Sequence, residues 1–198
     1  MRHLTTAGLL VLALALAACG DDETTTVTET GPATGTETTT ETTAVGPQGE
    51  LTTTGIGEVE QGMRTEEVAE LFGEPDQEQK GPGCELAPKA KGALAWTYAV
   101  PDGEVILNFD AGSGQLGFYR TTSPSLQTTL GDKVGDSYDS LRRNWGSDLE
   151  PLPIGSGPTP KAGFWIVKDT DDPRSALNFD IRGGKIAAIL GGHIEICE

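Results

Sequence analysis

Basic residues are scarce in this sequence. Its 198 residues contain 14 Lys and Arg against 30 Asp and Glu, which gives a formal net charge of −16 at pH 7. Proteins that bind DNA or RNA use Lys and Arg to neutralise phosphates, so the shortage argues against a nucleic-acid partner. It argues equally against an electrostatic hold on anionic lipid headgroups. Any attachment to a membrane must therefore have another source.

Long hydrophobic runs are also missing. The apolar run at residues 7–18 has twelve residues, whereas a helix needs about twenty to span a bilayer. The run follows the positively charged Met1-Arg2-His3, as in a secretory signal peptide. It ends in Leu16-Ala17-Ala18-Cys19, which resembles the lipobox of bacterial lipoproteins. The resemblance implies a signal peptide over residues 1–18 and a diacylglycerol anchor with acyl chains such as palmitate on Cys19. An ordinary secretory signal is the alternative.

Large apolar side chains are nearly absent from the stretch that follows. Residues 20–50 are rich in Thr, Glu, Gly and Pro, and they carry seven acids and no base. Such a segment cannot bury enough apolar surface to offset the entropy of ordering. We therefore predict a disordered acidic tether over residues 19–50, with a span of roughly 30 Å, that holds the folded part away from the membrane.

Histidine and cysteine are too few for most catalytic or metal sites. Removal of residues 1–18 leaves His193 as the single histidine, while a zinc site needs three or four ligands. No Gly-x-Ser-x-Gly elbow is present, and His193 is expected to begin an edge strand. We therefore expect no enzyme, no cofactor and no metal. Hydrolysis by a pair of carboxylates stays open as an alternative, because residues 51–198 contain 23 acids.

Two short motifs are interpreted as turns. Residues 112–117 match Gly-x-Gly-x-x-Gly, but β-prone residues follow where a nucleotide site needs the start of a helix. Three carboxylates cluster in Asp169-Thr170-Asp171-Asp172, but the further ligands of a calcium loop are missing and Pro173 follows at once. Both segments are expected to connect neighbouring strands.

Two short helices are predicted at a constant spacing. The first begins at the capping candidate Thr65 and ends at Gly73, and the second begins at Asp136 or Ser137 and ends at Gly146. Gly73 and Gly146 are 73 residues apart, as are two glycines that precede the helices. Equal spacing at two points indicates an internal repeat.

Runs of alternating apolar and polar residues follow each helix, for example at 104–109 and 176–181. Period-two alternation predicts antiparallel strands with one covered face. Turn residues between the runs predict hairpins. We therefore predict an α+β fold in two halves, residues 51–127 and 128–198, each with a helix followed by an antiparallel meander.

The first half contains Gly62-Met63, then Val68, then Leu71-Phe72-Gly73-Glu74-Pro75 ahead of its meander. This pattern resembles the repeat of small β-lactamase-inhibitor-like envelope proteins, which include the SmpA/OmlA (BamE-like) lipoproteins of outer-membrane barrel assembly. The resemblance covers residues 55–198 if both halves count. It implies two tandem helix-plus-meander repeats, with short helices covering one face of a curved antiparallel sheet. Function does not transfer with it, because such folds bind unrelated partners.

Two cysteines are left once Cys19 carries lipid. An exported protein folds where thiols oxidise, so we predict a disulfide between Cys84 and Cys197. In the chain-entropy model, closing a loop of this size contributes about 4–5 kcal/mol of stability. Two separate buried thiols are the alternative.

Aromatic side chains are the candidate binding residues. Adjacent residues in a strand point to opposite faces, so one member of Phe118-Tyr119 and one of Phe164-Trp165 should lie away from the helices. An exposed aromatic side chain is a good anchor for a protein partner. We therefore predict Trp96, Phe118, Tyr119 and Trp165 as protein-binding residues, with packing in the core as the alternative for each.

Together these features predict a lipoprotein anchored to the outer face of the cell membrane, with an outer-membrane location as the alternative. It would act as a non-enzymatic binding module for an envelope or extracellular protein, as partner, inhibitor or assembly factor. A structural component of the cell envelope is the second hypothesis. A hydrolase of wall polymers that uses acidic residues is the third.

Overall fold

A computed structural model describes the part of the chain that follows the predicted tether. The described ranges are residues 46–80, 93–110, 112–152, 157–172 and 174–193. The signal peptide and nearly all of the tether lie outside them, and so do Cys19, Cys84 and Cys197. Lipidation of Cys19 and the disulfide between Cys84 and Cys197 therefore stay predictions.

Strands greatly outnumber helices among the described residues. In chain order the elements are β1 (Glu50–Leu51), β2 (Gly55–Ile56), β3 (Val59–Glu60), α1 (Thr65–Phe72), β4 (Gln77–Lys80), β5 (Ala93–Val100), β6 (Gly103–Asp110), β7 (Leu116–Thr121), β8 (Gln127–Thr128), α2 (Tyr138–Trp145), β9 (Glu150–Pro151), β10 (Ala162–Lys168), β11 (Ser175–Arg182) and β12 (Lys185–His193). Neither helix in this part of the chain is long and apolar enough to cross a membrane.

A large antiparallel sheet has the strand order β4-β5-β6-β7-β12-β11-β10-β9. Two four-stranded meanders therefore meet at their last strands, where β7 pairs with β12. A second, small sheet has the order β3-β2-β1-β8, and in it β1 and β8 run parallel.

One face of the large sheet, the core face, is lined by a row of residues in register across six strands. The row contains Trp96, Leu107, Tyr119, Gly191, Leu177 and Val167. Gly191 leaves room for the ring of Tyr119, since a Cβ at this glycine would lie 2.4 Å from that ring. Alternation along each strand places these residues on the same side.

Both helices pack on the core face. The ring of Phe72 in α1 meets that of Tyr98 at 6.0 Å, and Tyr138 in α2 meets Trp165 at 4.8 Å. The small sheet joins the same side, because the hydroxyl of Tyr119 donates a hydrogen bond to the carbonyl of Thr52 at 2.7 Å. Helices and small sheet together close one hydrophobic core.

The predicted α+β class with two helix-plus-meander repeats is wrong. The described chain is mainly β, with 50% of residues in strands and 12% in helices, and one large sheet extends through both predicted halves. Each helix has eight residues, which is about 12 Å of length, whereas eight strands span roughly 34 Å. Two such helices are too short to form a layer over this sheet.

Several local boundaries also differ from the expectations. The N-cap of α1 is Arg64 rather than Thr65. His193 ends β12, a central strand, instead of beginning an edge strand. Strand β1 begins at Glu50, the last residue assigned to the tether, and β8 crosses the boundary set between residues 127 and 128. The helix ends at Gly73 and Gly146 are confirmed, since both residues are C-caps.

Candidate functional site

Three of the four aromatic residues predicted for protein binding lie in the core. Trp96, Tyr119 and Trp165 are 6%, 1% and 7% exposed. Phe118 is partly exposed and lies on the opposite face of the sheet. This corrects the expectation for three of the four residues, because a side chain enclosed in the core offers no surface to a partner. Phe118 stays a candidate.

The polar atoms of the three buried rings have partners inside the fold. The indole N–H of Trp96 donates to Glu78 at 3.1 Å, and that of Trp165 donates to the carbonyl of Thr159 at 3.3 Å. Burial raises the pKa of the Tyr119 hydroxyl, which therefore stays protonated. These residues stabilise the fold in the positions where they lie.

The other face of the large sheet, which we term the open face, carries partly exposed apolar side chains. They point away from the side on which both helices pack, because their strand neighbours lie in the core. The five larger ones are Ile106, Phe118, Phe164, Ile166 and Leu190. They lie on β6, β7, β10 and β12, and the distance from β6 to β10 is roughly 19 Å.

A cross-strand row on the open face contains three of these residues, Ile106, Leu190 and Ile166. Ile106 is in register with Arg120, Arg120 with Leu190, Leu190 with Asn178, and Asn178 with Ile166. Buried Asn178 and partly exposed Arg120 thus lie between apolar neighbours. The open face therefore combines apolar contact area with a central cationic group.

Ion pairs lie on the same face. The guanidinium of Arg120 is 3.5 Å from the carboxylate of Glu104, and that of Arg182 is 2.8 Å from Asp180. The Asp180 side chain is only 8% exposed, while Arg182 is 72% exposed. Exposed guanidinium groups beside apolar side chains are common at protein interfaces, where Arg is enriched.

Phe164 is the open-face member of its pair, although Trp165 was selected from the sequence. Period-two alternation identifies two faces but does not say which one the helices cover. The same alternation contains Ile106, Ile166 and Leu190, which sequence reasoning did not select. The register between strands was the missing information, because it places these residues side by side.

An open cleft of about 420 Å³ lies where the end of α2 meets β9 and β10. Apolar surface comes from Trp145 and Val167, and charged groups come from Asp148, Glu150, Lys168 and Asp169. The ammonium of Lys168 is 2.9 Å from the carboxylate of Glu150. Three carboxylates and one ammonium therefore border the cleft.

The turn from Asp169 to Asp172 forms one wall of the cleft. Asp169 accepts hydrogen bonds from the Thr53 hydroxyl and from the backbone N–H groups of Asp171 and Asp172. These bonds lower the pKa of the Asp169 carboxyl, so it is ionised at neutral pH. The segment connects β10 to β11, as predicted. No group of three or more His, Cys, Asp or Glu side chains in the described ranges is placed to hold a metal ion.

A buried carboxylate holds Trp145 beside the cleft. Asp132 is 1% exposed, and it accepts hydrogen bonds from the Trp145 indole at 2.7 Å and from the Asn144 amide at 2.8 Å. Burial raises the pKa of Asp132. The Trp145 ring also packs against Phe179 at 6.3 Å. Its position is thus set by contacts inside the fold.

The arrangement of these carboxylates does not favour hydrolysis of wall polymers. Such a reaction needs two carboxyl groups facing each other across a cleft, one with a raised pKa. Among the described carboxyl groups, burial raises the pKa of Asp132, which is buried beneath α2 and is not one of the residues that line the cleft. Asp169, which does border it, has a lowered pKa.

Comparison with known proteins gives no family. The sequence matches no family model and no curated protein. Among solved structures, the chain is similar to an extracellular protein containing an SCP domain from Bacillus anthracis str. Ames. The TM-score is 0.40 and the identity 10%, over 65% of this chain and 42% of that protein. The likeness carries no argument about function.

Proposed function

We propose that this protein is a membrane-tethered, extracytoplasmic binding module that holds a partner protein against the open face of its large sheet. The observation that supports this best is the set of five partly exposed apolar side chains on that face, of which Ile106, Phe118 and Leu190 lie beside Arg120. Apolar and aromatic anchors beside an Arg side chain are the usual centre of a protein interface. The proposed activity is binding, with no chemical step.

The tether and its lipid are part of the same proposal. The lipobox-like segment ending at Cys19 and the acidic, Thr-rich stretch after it support export and anchoring. Serine at position 19 (Cys19→Ser) should release the protein from the membrane fraction and abolish palmitate labelling, whereas the full chain with Cys84→Ser should keep both. Equal membrane retention of the Cys19→Ser and Cys84→Ser variants would contradict the anchor.

We also propose the Cys84–Cys197 disulfide. Gln79 and Gly192, each five residues before one of these cysteines, lie in one cross-strand row of the large sheet. Four strand spacings, roughly 19 Å, separate them, and five extended residues on each side can reach about 17 Å each. Thiol labelling of the exported protein should find no free thiol at either residue before reduction and two after it.

Site-specific cross-linking tests the open face. A photoreactive phenylalanine analogue at position 118, in the full chain and in intact cells, should give a discrete adduct with a partner protein. The matched control is position 130, because Leu130 is 48% exposed and lies in the turn that follows β8 of the small sheet. Adducts of equal yield at both positions would contradict the proposal.

The captured partner then allows a quantitative test. Phe118→Ala and Leu190→Ala should each weaken its binding by about tenfold or more, as truncation of an interface anchor does. Leu130→Ala should leave the affinity unchanged. The thermal midpoint of each variant should stay close to that of the wild-type protein, since a drop in parallel with affinity would indicate a fold defect instead.

A further inference from the structure

The geometry points to a second recognition site: we infer that the cleft between the end of α2 and β10 binds the side chain of a lysine or arginine on the partner protein. This inference rests on the proposed binding function and gives the partner a chemical property. A cleft of about 420 Å³ is near the small end of ligand sites. It therefore has room for a long side chain such as that of Lys or Arg.

Carbon atoms of Trp145 and Val167 form the apolar wall of the cleft. Nε1 is the single polar atom of the Trp145 indole, and its N–H is used by the buried carboxylate of Asp132. The part of the ring that borders the cleft therefore offers no hydrogen bond. Val167, 6% exposed, adds to this wall from β10. An aromatic carbon surface attracts a cation and also packs against the methylene groups of a Lys or Arg stem.

The charges around the cleft are unbalanced. Lys168 is paired with Glu150 at 2.9 Å, which leaves the carboxylates of Asp148 and Asp169 without an ion pair among the described residues. Asp148 is exposed and its backbone N–H bonds to the carbonyl of Trp145 at 3.0 Å, so it lies directly after the helix. The ordered turn that holds Asp169 directs a second negative charge to the same cleft.

The end of α2 carries charges of both signs. Trp145 is the last residue of the helix and Gly146 its C-cap, and the last carbonyl groups of a helix carry partial negative charge. Arg142 and Arg143 in the last turn of the same helix offset this partial charge, so the two carboxylates are what would repel an anionic ligand. A neutral apolar ligand would leave both carboxylates without a counter-charge. A cationic side chain with an apolar stem can pack its stem against the apolar wall and place its charge beside the two carboxylates.

The acidity of the whole chain supports the same occupant. With a formal net charge of −16, the protein attracts basic partners at long range. The open face supplies apolar contact and the cleft supplies a defined position for one cationic group. A partner with an apolar patch and a nearby Lys or Arg fits both surfaces.

The test uses the full mature chain, labelled with ¹⁵N, and short peptides. Gly-Arg-Gly is added, and the indole N–H signals of the three Trp residues are followed by NMR, with Trp145→Phe to assign the cleft signal. The signal of Trp145 should shift with a dissociation constant on the order of millimolar, while those of buried Trp96 and Trp165 stay in place. Gly-Lys-Gly should act similarly and Gly-citrulline-Gly should have no effect, because with acetylated N-termini and amidated C-termini the peptides differ in charge only at the side chain.

Charge variants separate the cleft from the general acidity of the protein. Asp148→Asn should weaken binding of Gly-Arg-Gly by about twofold to fivefold, as loss of one solvent-exposed charge partner does. Asp139→Asn removes the same charge from the first turn of the same helix, outside the cleft, and should have no effect. Equal effects of the two variants, or an equal shift with the citrulline peptide, would overturn the inference.

Failure here is distinguishable from failure of the proposed function. Cross-linking at position 118 does not involve the cleft, so a retained adduct together with no peptide binding would overturn the cleft inference alone. Loss of the adduct with retained peptide binding would overturn the open-face proposal and leave the cleft as a cation site.

Discussion

The segments ahead of the two helices make the same kind of backbone hydrogen bond, but different kinds of side-chain contact hold the two helix ends. Ahead of α1, the N–H of Gly62 donates to the carbonyl of Leu116 at 2.8 Å, and ahead of α2, that of Gly135 donates to Ile186 at 2.8 Å. In both cases the segment before the helix is therefore bonded to the last strand of a meander. Each helix is eight residues long and ends at a glycine.

The side chains around the helix ends differ. Val59 and Phe72, which are 0% and 5% exposed, belong to the apolar core near α1. The residues 73 positions later are Asp132 and Trp145, which form a buried hydrogen bond near α2. The end of α1 is thus held by apolar burial and by a hydrogen bond from the Tyr98 hydroxyl to the carbonyl of Gly73 at 3.0 Å, while that of α2 is held by a carboxylate that accepts the indole N–H.

This difference shows how one framework can serve two purposes. Apolar burial is non-directional, so Phe72 only has to fill space. A hydrogen bond is directional, so Asp132 determines which edge of Trp145 faces inward and which part borders the cleft. The hydrogen bond between Asp132 and Trp145 requires desolvation of a carboxylate, which costs free energy. It also positions the Trp145 ring at a candidate binding site.

The largest expected effect comes from the apolar anchor. Phe72→Ala should lower the free energy of unfolding by about 3–5 kcal/mol, because it empties a closed core position. Denaturation by urea measures this change. Phe118→Ala on the open face is the matched control and should cost less than about 1.5 kcal/mol. A loss for Phe72→Ala no larger than that of the control would show that α1 is not held by burial.

The polar anchor should cost less to remove. Asp132→Ala leaves the Trp145 indole and the Asn144 amide without their acceptor, and we expect a loss of about 2–3 kcal/mol. Hydrogen exchange of the Trp145 indole should accelerate with it. Asp139→Ala, an exposed carboxylate on the same helix, is the control. If both variants were equally stable, the hydrogen bonds of Asp132 would contribute nothing net.

The contributions of Phe72 and Asp132 to the free energy of unfolding should also differ in pH dependence. Burial raises the pKa of Asp132 above its ordinary value of 3.8, so the folded state binds more protons than the unfolded state between those two pKa values. The contribution of Asp132 is therefore greatest below pH 4 and falls as pH rises towards the folded-state pKa. The stability difference between wild type and Asp132→Ala should shrink over this range, while that for Phe72→Ala stays constant. A constant difference for both would contradict the pKa shift.

The smallest expected effect on stability concerns the N-terminal caps of the two helices. The Ser137 hydroxyl accepts a hydrogen bond from the N–H of Ser140 at 3.2 Å, whereas the Arg64 side chain makes no such bond at the start of α1. Ser137→Ala should cost about 1 kcal/mol, and Arg64→Ala should stay within about 0.5 kcal/mol of wild type. Thermal melts of the two variants measure the difference. Equal midpoints would mean that the cap of α2 adds no stability.

Much of the local structure follows from short-range patterns. Gly73 and Gly146 end the helices as predicted, and residues 112–115 of the Gly-x-Gly-x-x-Gly motif lie in the hairpin connection between β6 and β7, which begins at Leu116. The two members of Phe118-Tyr119 lie on opposite faces of one strand. These features depend on backbone conformation and on alternation within a few residues, which the sequence displays directly.

The fold class and most of the candidate site do not follow from such patterns. The pairing of β7 with β12 joins residues about seventy positions apart in the chain, and it turns two meanders into one sheet. Asn178 and Asp180 are polar yet buried on β11, an interior strand of the large sheet. No local periodicity predicts these contacts, since each depends on which strands become neighbours.

The amino-acid sequence by itself determined the acidity, the shortage of imidazole and thiol groups, the helix ends and the two-faced character of each strand. Only the tertiary structure decided which face the helices cover, that Phe164 rather than Trp165 remains accessible, and that Asp132 fixes Trp145 beside a cleft. The physical reason is range: the first group depends on composition and on interactions between near neighbours along the chain. The second group depends on contacts between segments far apart in the chain. These contacts stabilise the protein only after the strands have assembled into the sheet.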